Sequence, residues 1–171
     1  MKHFRAILLL PFMVTVVIPV TILWLSGPDA FGLWQSVLAR VGRPVLGGVL
    51  ICQGLVLLVA TNRLFVTVGN GTLAPWNPTQ RLVVQGAYRY VRNPMISGVM
   101  AILLGEAICA ASLPLACWFV VFLVVNALYI RLAEEPGLMK RFGEDYVQYK
   151  QDVPRWIPRL KPWPCHEGET S

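Results

Sequence analysis

Two adjacent carboxylates, Glu134 and Glu135, end the last long apolar stretch of the chain. Two adjacent carboxylates at a membrane boundary are unusual, because an ionisable group placed deeper in the membrane is costly, so this pair is a candidate for holding a cationic or hydroxyl-bearing ligand. In a continuous helix Glu134 would share a face with Asn126. The same pattern would also arise if the pair were merely solvated at the boundary, or neutralised by Arg92 or Arg131.

A second candidate site lies where Asn93 and Pro94 join a polar loop to an apolar stretch. Proline is favoured at the first position of a helix, where its missing N–H would have no partner, and asparagine is a common N-cap. The free amides of such a first turn can receive a carboxylate. Gly98, one turn further on, would let another group come close to the backbone. An ordinary capped membrane helix would show the same residues.

Glu106 is the only charged residue deep within a predicted span. An ionisable residue in that position is by default a functional hypothesis. The alternatives are a protonated side chain that is hydrogen-bonded to Gln53 or Asn126, or a role in packing alone.

The composition is that of a membrane protein. Of 171 residues, 56% are hydrophobic and only 14% are charged. This composition excludes a disordered chain, and it is too apolar for a small soluble domain. The net charge of +6 does not indicate nucleic-acid binding, because basic residues in membrane proteins concentrate in cytoplasmic loops. No cysteine pair has the spacing of a zinc or redox motif, so no metal site is expected.

The apolar stretches predict an all-α integral membrane bundle with about four transmembrane helices. They cover residues 6–26, 44–68, 95–111 and 115–133. The last two form a helical hairpin around the turn at 112–114. Residues 31–43 are predicted to be a surface helix, and 136–153 a polar helical segment divided by Gly143.

The positions of the basic residues predict the orientation. With four spans, thirteen Lys and Arg residues fall on the side of the two termini and two fall on the other side. This asymmetry places both termini and the C-terminal helical segment in the cytosol, as in a multi-pass protein of a bacterial inner membrane. The proline-rich stretch 153–164 cannot be helical, and its Trp and basic residues suit the headgroup region.

Two segments together resemble the isoprenylcysteine carboxyl methyltransferase and phospholipid methyltransferase superfamily. Residues 86–98 follow its pattern G-x-Y-x-x-x-R-[HN]-P-x-Y-x-G, and residues 134–154 hold its E-E and F-G-x-x-Y-x-x-Y-x-x-x-V-P. The matching residues are Gly86, Tyr88, Arg92, Asn93, Pro94, Gly98, Glu134, Glu135, Phe142, Gly143, Tyr146, Tyr149, Val153 and Pro154. The resemblance divides the chain into an N-terminal transmembrane region (1–79), a methyltransferase core (80–158) and a tail (159–171).

The resemblance implies S-adenosyl-L-methionine as the methyl donor, bound at the cytosolic mouth of the last two spans. The residues that it assigns to the cofactor site are Gln80, Arg81, Leu82, Val83, Tyr88, Asn93, Pro94, Met95, Ile96, Gly98 and Glu134. The acceptor would be a lipophilic small molecule or lipid-modified group that arrives through the membrane lipids.

This sequence departs from the family pattern at two positions. Ile96 replaces the second Tyr of the motif, and Ile130 stands where the isoprenylcysteine enzymes use an Arg to hold the substrate carboxylate. Arg131 is the neighbour of that position, and we expect Arg131 and Glu106 to be the catalytic residues. The resemblance favours a relative of the carboxyl O-methyltransferases. The alternatives are an amine-lipid N-methyltransferase and a non-catalytic bundle with the same fold.

Overall fold

The computed structural model describes residues 11–26, 37–67 and 84–164, and the described part is helical without strands. Its elements are α1 (Met13–Ser26), α2 (Val37–Thr67), a 3-10 helix (Gly86–Arg89), α3 (Pro94–Ala110), α4 (Leu113–Tyr129) and α5 (Glu135–Asp152). The all-α prediction is therefore confirmed for these residues.

Two helices in the described ranges are long and apolar enough to cross a membrane, whereas the sequence predicted about four. They are Val41–Leu64 of α2 and the continuous helical run Leu113–Asp152, whose apolar part ends at Arg131. The α1 and α3 helices are apolar but shorter; at 17 residues, α3 is roughly 26 Å long against a hydrocarbon layer of ~30 Å. Residues 6–10 of the first predicted span lie outside the described residues.

The α2 helix runs without interruption through Pro44. The prediction of a span that starts at Pro44, after a separate surface helix, is therefore wrong for residues 37–43. A helix that packs against other helices can continue through a proline, because its neighbours can satisfy the backbone carbonyl that the proline leaves without an N–H partner.

Two glycine pairs bring α2 and α3 into backbone contact. A Cβ on Gly54 would lie 2.5 Å from the Gly98 carbonyl oxygen, and a Cβ on Gly47 would lie 2.6 Å from that of Gly105. Within each helix the two glycines are seven residues apart, so they lie on one face, and the pairs run in opposite order. Small residues at such a crossing allow close van der Waals packing, which is what holds helices together in lipid. The close approach predicted at Gly98 is thus made by α2.

The predicted hairpin of α3 and α4 is confirmed. Ala111 takes the left-handed conformation, with φ of 47°, and ends α3. The Ser112 hydroxyl then accepts a hydrogen bond from the Leu115 N–H at 3.4 Å and caps α4. The core between the membrane helices consists of Leu58, Val99, Ile102 and Leu103, with Val14, Met95, Trp118, Phe119 and Phe122 packed against it.

A widened turn in α1 reflects the position of a proline. In the turn Met13–Val17 the Ile18 N–H bonds to the Met13 carbonyl, five residues back. The next residue, Pro19, has no N–H to offer the Val14 carbonyl in this register. The Trp118 indole N–H of α4 donates to that carbonyl at 3.3 Å, so the proline creates an interhelical hydrogen bond.

The same arrangement recurs at the end of α4. In the turn Ile130–Glu134, the Glu135 N–H bonds to the Ile130 carbonyl, and Pro136 follows. Glu135 has φ of −61° and ψ of −43°, so it remains helical although a proline usually pushes the residue before it out of helical geometry. The wider turn accommodates the proline ring while the helix continues into α5.

Beyond the membrane helices, residues 84–93 and 135–164 pack into a second unit, here called the cap. Its core is formed by Tyr146, Tyr149 and Val153, with Val84, Leu138, Met139, Phe142 and Trp163 around it. Gly143, with φ of 55° and ψ of −132°, divides α5 as predicted. The family motif of aromatic residues in this segment therefore builds the interior of the cap.

Residues 154–164, here called the strap, are non-helical as predicted, and they are paired with the loop before α3. The backbone N–H groups of Arg92, Arg159 and Trp163 bond to the carbonyls of Pro154, Tyr90 and Arg89 at 3.0, 3.0 and 2.9 Å. The Arg89 Nε also donates to the Trp163 carbonyl at 2.8 Å. Packed structure thus continues past residue 158.

Candidate functional site

Glu135 neutralises three cations that come from three parts of the cap. Its Oε1 lies 2.9 Å from the Arg92 Nη1 and 2.6 Å from the Arg155 Nη2, and its Oε2 lies 2.9 Å from the Lys150 Nζ. Burial alone would raise the pKa of Glu135, but hydrogen bonds from Lys150 and Arg155 and the charge of Arg92 hold that pKa below its usual value. Glu135 therefore ties α5, the loop before α3 and the strap together as an anion.

Glu134 has different surroundings, although it is the adjacent residue. No hydrogen bond or ion pair joins its half-buried carboxylate to another described residue. Burial raises the pKa of Glu134, the charge of Glu135 raises it further, and Arg155 only partly offsets this. The two carboxylates thus divide their roles: Glu135 is saturated by the protein, and Glu134 is available to a cationic or hydroxyl-bearing ligand.

Tyr88 lies near Glu134 in the interior of the cap. Its side chain is 9% exposed, and its carbonyl accepts a hydrogen bond from the Tyr149 hydroxyl at 2.7 Å. Burial, with smaller contributions from Tyr149 and from the charge of Glu134, raises the pKa of Tyr88 far above its usual value. The Tyr88 phenol is therefore kept protonated.

The start of α3 lies at the same end of the molecule as Glu134 and Glu135. Pro94 is buried at the first position of the helix, and the Asn93 carbonyl accepts bonds from the N–H and the hydroxyl of Ser97, both at 3.0 Å. The Asn93 side chain makes no capping bond, so the predicted N-cap is wrong in its side-chain role. Arg92, the residue before it, is the one that Glu135 holds.

Met95 and Ile96 occupy the first turn of α3 and are both half-buried. Met95 packs against the core of the membrane helices. Four other residues expected in the cofactor site, Gln80, Arg81, Leu82 and Val83, lie outside the described residues.

The two residues expected to be catalytic are widely separated. Glu106 lies twelve residues along α3 from Pro94, roughly 18 Å of helix, towards the turn at Ala111. Arg131 is exposed on the widened turn next to Glu134, whereas Ile130 is only 1% exposed. The structure thus brings Arg131, but not Glu106, to the end that holds Asn93 and Glu134.

Neither predicted hydrogen bond of Glu106 is present. Asn126 donates to the Phe122 carbonyl within its own helix at 2.8 Å, and Gln53 is exposed on α2. The Glu106 Oε2 is buried and has no hydrogen-bond partner among the described residues.

Sequence reasoning gave Arg92 only as one possible partner of the carboxylate pair and missed Lys150, Arg155 and the strap. The V-P of the family pattern, at Val153 and Pro154, was the signal that could have revealed the strap, because the Pro154 carbonyl accepts a hydrogen bond from the Arg92 N–H. In the described ranges no group of His, Cys, Asp and Glu side chains has a geometry that could hold a metal ion.

A comparison with known families places these observations in context. The family model described as phospholipid methyltransferase matches residues 43–145, which include Asn93, Arg131, Glu134 and Glu135. None of the curated proteins compared with the chain matches it.

Proposed function

The chain belongs to the phospholipid methyltransferase family, and from this premise we propose that it transfers a methyl group from S-adenosylmethionine to a lipophilic acceptor at the membrane boundary. The observation that carries the proposal is the unpaired Glu134 beside the saturated Glu135. A carboxylate without a protein partner suits a donor that carries an ammonium, a sulfonium and ribose hydroxyls.

Five residues of this chain are proposed to bind the donor. The Glu134 carboxylate accepts from its ammonium or ribose hydroxyls, and the uncommitted Asn93 amide offers a further polar contact. The first-turn amides of Met95 and Ile96, which no earlier helical residue can pair, receive its carboxylate. The Tyr88 phenol, kept protonated by burial, is a hydrogen-bond donor at the inner side of this site.

S-adenosylmethionine supplies an electrophilic methyl group, which passes to the acceptor in an in-line displacement as the bond from sulfur to that carbon breaks. Alignment and the exclusion of water account for most of the acceleration of such a reaction. The protein provides these through the rigid junction of α3, the turn Ile130–Glu134 and the cap. A carboxylate acceptor attacks without a general base.

We propose a carboxyl group on a lipid-soluble molecule as the acceptor. Ile130 is buried and apolar and cannot hold a carboxylate, whereas Arg131 is exposed at the boundary, next to Glu134. Arg131 is therefore assigned to the acceptor. Glu106, roughly 18 Å away along α3, has no place in the transfer step.

The test is to supply methyl-labelled S-adenosylmethionine to membranes that contain the protein and to identify the labelled species. We expect a base-labile ester on a lipophilic molecule, and much less of it in membranes with the Glu134→Gln variant when the donor is below saturation. A label linked through an amine would still support methyl transfer by this protein, but it would overturn the proposal of a carboxyl acceptor and the role of Arg131. If no species gains label from protein that binds the donor, transfer itself is refuted.

The orientation is proposed from the charge asymmetry alone. With the cap and both termini in the cytosol, a single cysteine at Gly71 resists an impermeant thiol reagent in intact cells, and one at Asp29 reacts. The native cysteines are replaced first. Labelling of the Gly71 position from outside would reverse the assignment.

A further inference from the structure

The strap holds two large apolar side chains outward from the protein. Ile157 is 78% exposed and Leu160 is 101% exposed, the highest value among the large hydrophobic residues of the described ranges. The backbone of the strap is nevertheless fixed, because the Arg159 N–H bonds to the Tyr90 carbonyl and the Trp163 N–H to the Arg89 carbonyl. The folded cap therefore holds these two side chains in their exposed positions.

The strap also has a fixed height relative to the membrane helices. Arg89, Tyr90 and Arg92 precede Pro94, the first residue of apolar α3, by only two to five positions. A segment whose backbone is paired with these residues lies beside the start of α3, at the level where hydrocarbon gives way to headgroups.

The strap also carries positive charge, and among the described residues no acid pairs with Arg159. The Arg159 guanidinium is half-buried, its Nη1 is buried, and it has no hydrogen-bond or ion-pair partner among the described residues. Lys161 is exposed beside it. Two acids of the cap have other partners: Glu135 holds three cations, and Asp152 accepts from the Trp163 indole N–H at 2.9 Å.

We propose that residues 157–161 are a docking surface for anionic phospholipid of the bilayer in which the protein sits. Ile157 and Leu160 enter the interfacial layer, and Arg159, whose fork-shaped guanidinium suits phosphate, takes a headgroup phosphate between them. Lys161 adds attraction to the negative surface. The combination of fixed apolar side chains and a basic residue is what binds segments in the plane of a membrane interface.

The surface lies outside the residues that the family model matches, 43–145, so the proposal does not depend on the methyl-transfer assignment. It concerns the contact between the cap and lipid, and it holds or fails whatever the acceptor is.

The experiment uses the full chain with its native cysteines replaced and a cysteine at Leu160 that carries an environment-sensitive fluorophore. The protein is incorporated into nanodiscs of phosphatidylcholine alone or with added phosphatidylglycerol, both doped with brominated lipid, at one copy per disc and, in a parallel set, at two copies per disc. A second preparation, labelled at the exposed Gln148 of α5, is the control for folding and for general quenching.

We expect strong quenching at position 160 in the anionic discs and a weaker effect in phosphatidylcholine. In the Arg159→Gln variant the apparent affinity for phosphatidylglycerol falls about fivefold, the change expected for one basic residue near an anionic surface, and Arg159→Lys restores most of it. Equal quenching at positions 160 and 148, or no dependence on lipid charge, would overturn the proposal. Protection of position 160 only when two copies share a disc would also overturn it, in favour of a contact between copies.

Discussion

The Tyr149 hydroxyl donates a hydrogen bond of 2.7 Å to the backbone carbonyl of Tyr88, across the interior of the cap. Both residues are buried, and Trp163 of the strap meets the Tyr149 ring edge-on at 5.6 Å. One side chain thus joins α5 to the 3-10 helix Gly86–Arg89 and contacts the strap. The family motif requires a Tyr at both positions, and this geometry gives a physical reason for the one at 149.

Replacement of Tyr149 by Phe tests this contact. The ring and its packing are kept, but the buried Tyr88 carbonyl loses its donor, which costs about 1–3 kcal/mol. We expect a lower midpoint of thermal unfolding in detergent. Tyr129→Phe, at a tyrosine that is 55% exposed on α4, is the matched control and should leave the midpoint unchanged. Equal midpoints for Tyr149→Phe and the parent would contradict the role of this bond.

Replacement of Glu135 by Gln should destabilise the cap strongly at neutral pH. Three cations lose their counter-charge in a buried setting, and breaking such an ion-pair network costs roughly 3–5 kcal/mol. The measurement is thermal unfolding in detergent, with the exposed Glu144 changed to Gln as control. A variant as stable as the parent would show that the network contributes little.

The stability of the parent should fall in acid because of the same residue. The pKa of Glu135 in the folded protein lies below its ordinary value of 4.5, so its contribution is fully present above that value and is lost as the pH falls through the folded pKa. Thermal midpoints taken between pH 7 and pH 3 should therefore drop more steeply for the parent than for Glu135→Gln. Parallel pH profiles would rule out this linkage.

Replacement of Glu134 by Gln should weaken donor binding and leave the fold intact. A charge-assisted hydrogen bond contributes about 1.5–3 kcal/mol, so the affinity for S-adenosylmethionine should fall about ten- to a hundredfold. Titration calorimetry on purified protein gives the affinity, and the unfolding midpoint gives the fold. Unchanged affinity in a folded variant would remove Glu134 from the site.

Replacement of Gly54 by Ala should separate α2 from α3. The added methyl group would lie 2.5 Å from the Gly98 carbonyl oxygen and cannot be accommodated without moving a backbone, which costs about 1–3 kcal/mol. Gly48→Ala, on the same helix with nothing within 4 Å, is the control. A lower unfolding midpoint is expected for the first variant only, and similar midpoints for both would contradict the backbone contact.

The sequence predicted the hairpin and the division of α5 correctly, but it predicted about four spans and a separate surface helix before Pro44, and it predicted some contacts poorly. The hairpin and the division of α5 at Gly143 followed from local signals: turn residues, proline and the change from apolar to polar composition. The role of Glu135 did not follow, because a proline can break, bend or widen a helix, and only the widened turn before Pro136 keeps Glu135 helical. The glycine contacts between α2 and α3 could not be predicted, because local sequence signals do not show which helices pack together.

For the proposed site, sequence reasoning marked side chains with recognisable chemistry and missed the groups that support them. Asn93 and Glu134 are side chains with recognisable chemistry, and the family pattern marked both. The strap is held largely through backbone groups of Arg89, Tyr90 and Arg92, and backbone hydrogen bonds leave no signature in residue types. The distance of Glu106 from Asn93 and Glu134 is likewise set by the length and direction of α3, so its acidic character could not predict it.

The order of residues along the chain determines when the cap can form during biosynthesis. Arg89 is hydrogen-bonded to Trp163, which leaves the ribosome 74 residues later, and Arg92 waits in the same way for Glu135 and Pro154. The nascent chain can therefore insert α1 to α4 and pair their glycines while the loop before α3 still lacks its partners. Insertion can therefore precede completion of the cap, and a ribosome stalled before residue 163 holds an embedded chain whose cap lacks the bonds from Trp163 to Arg89.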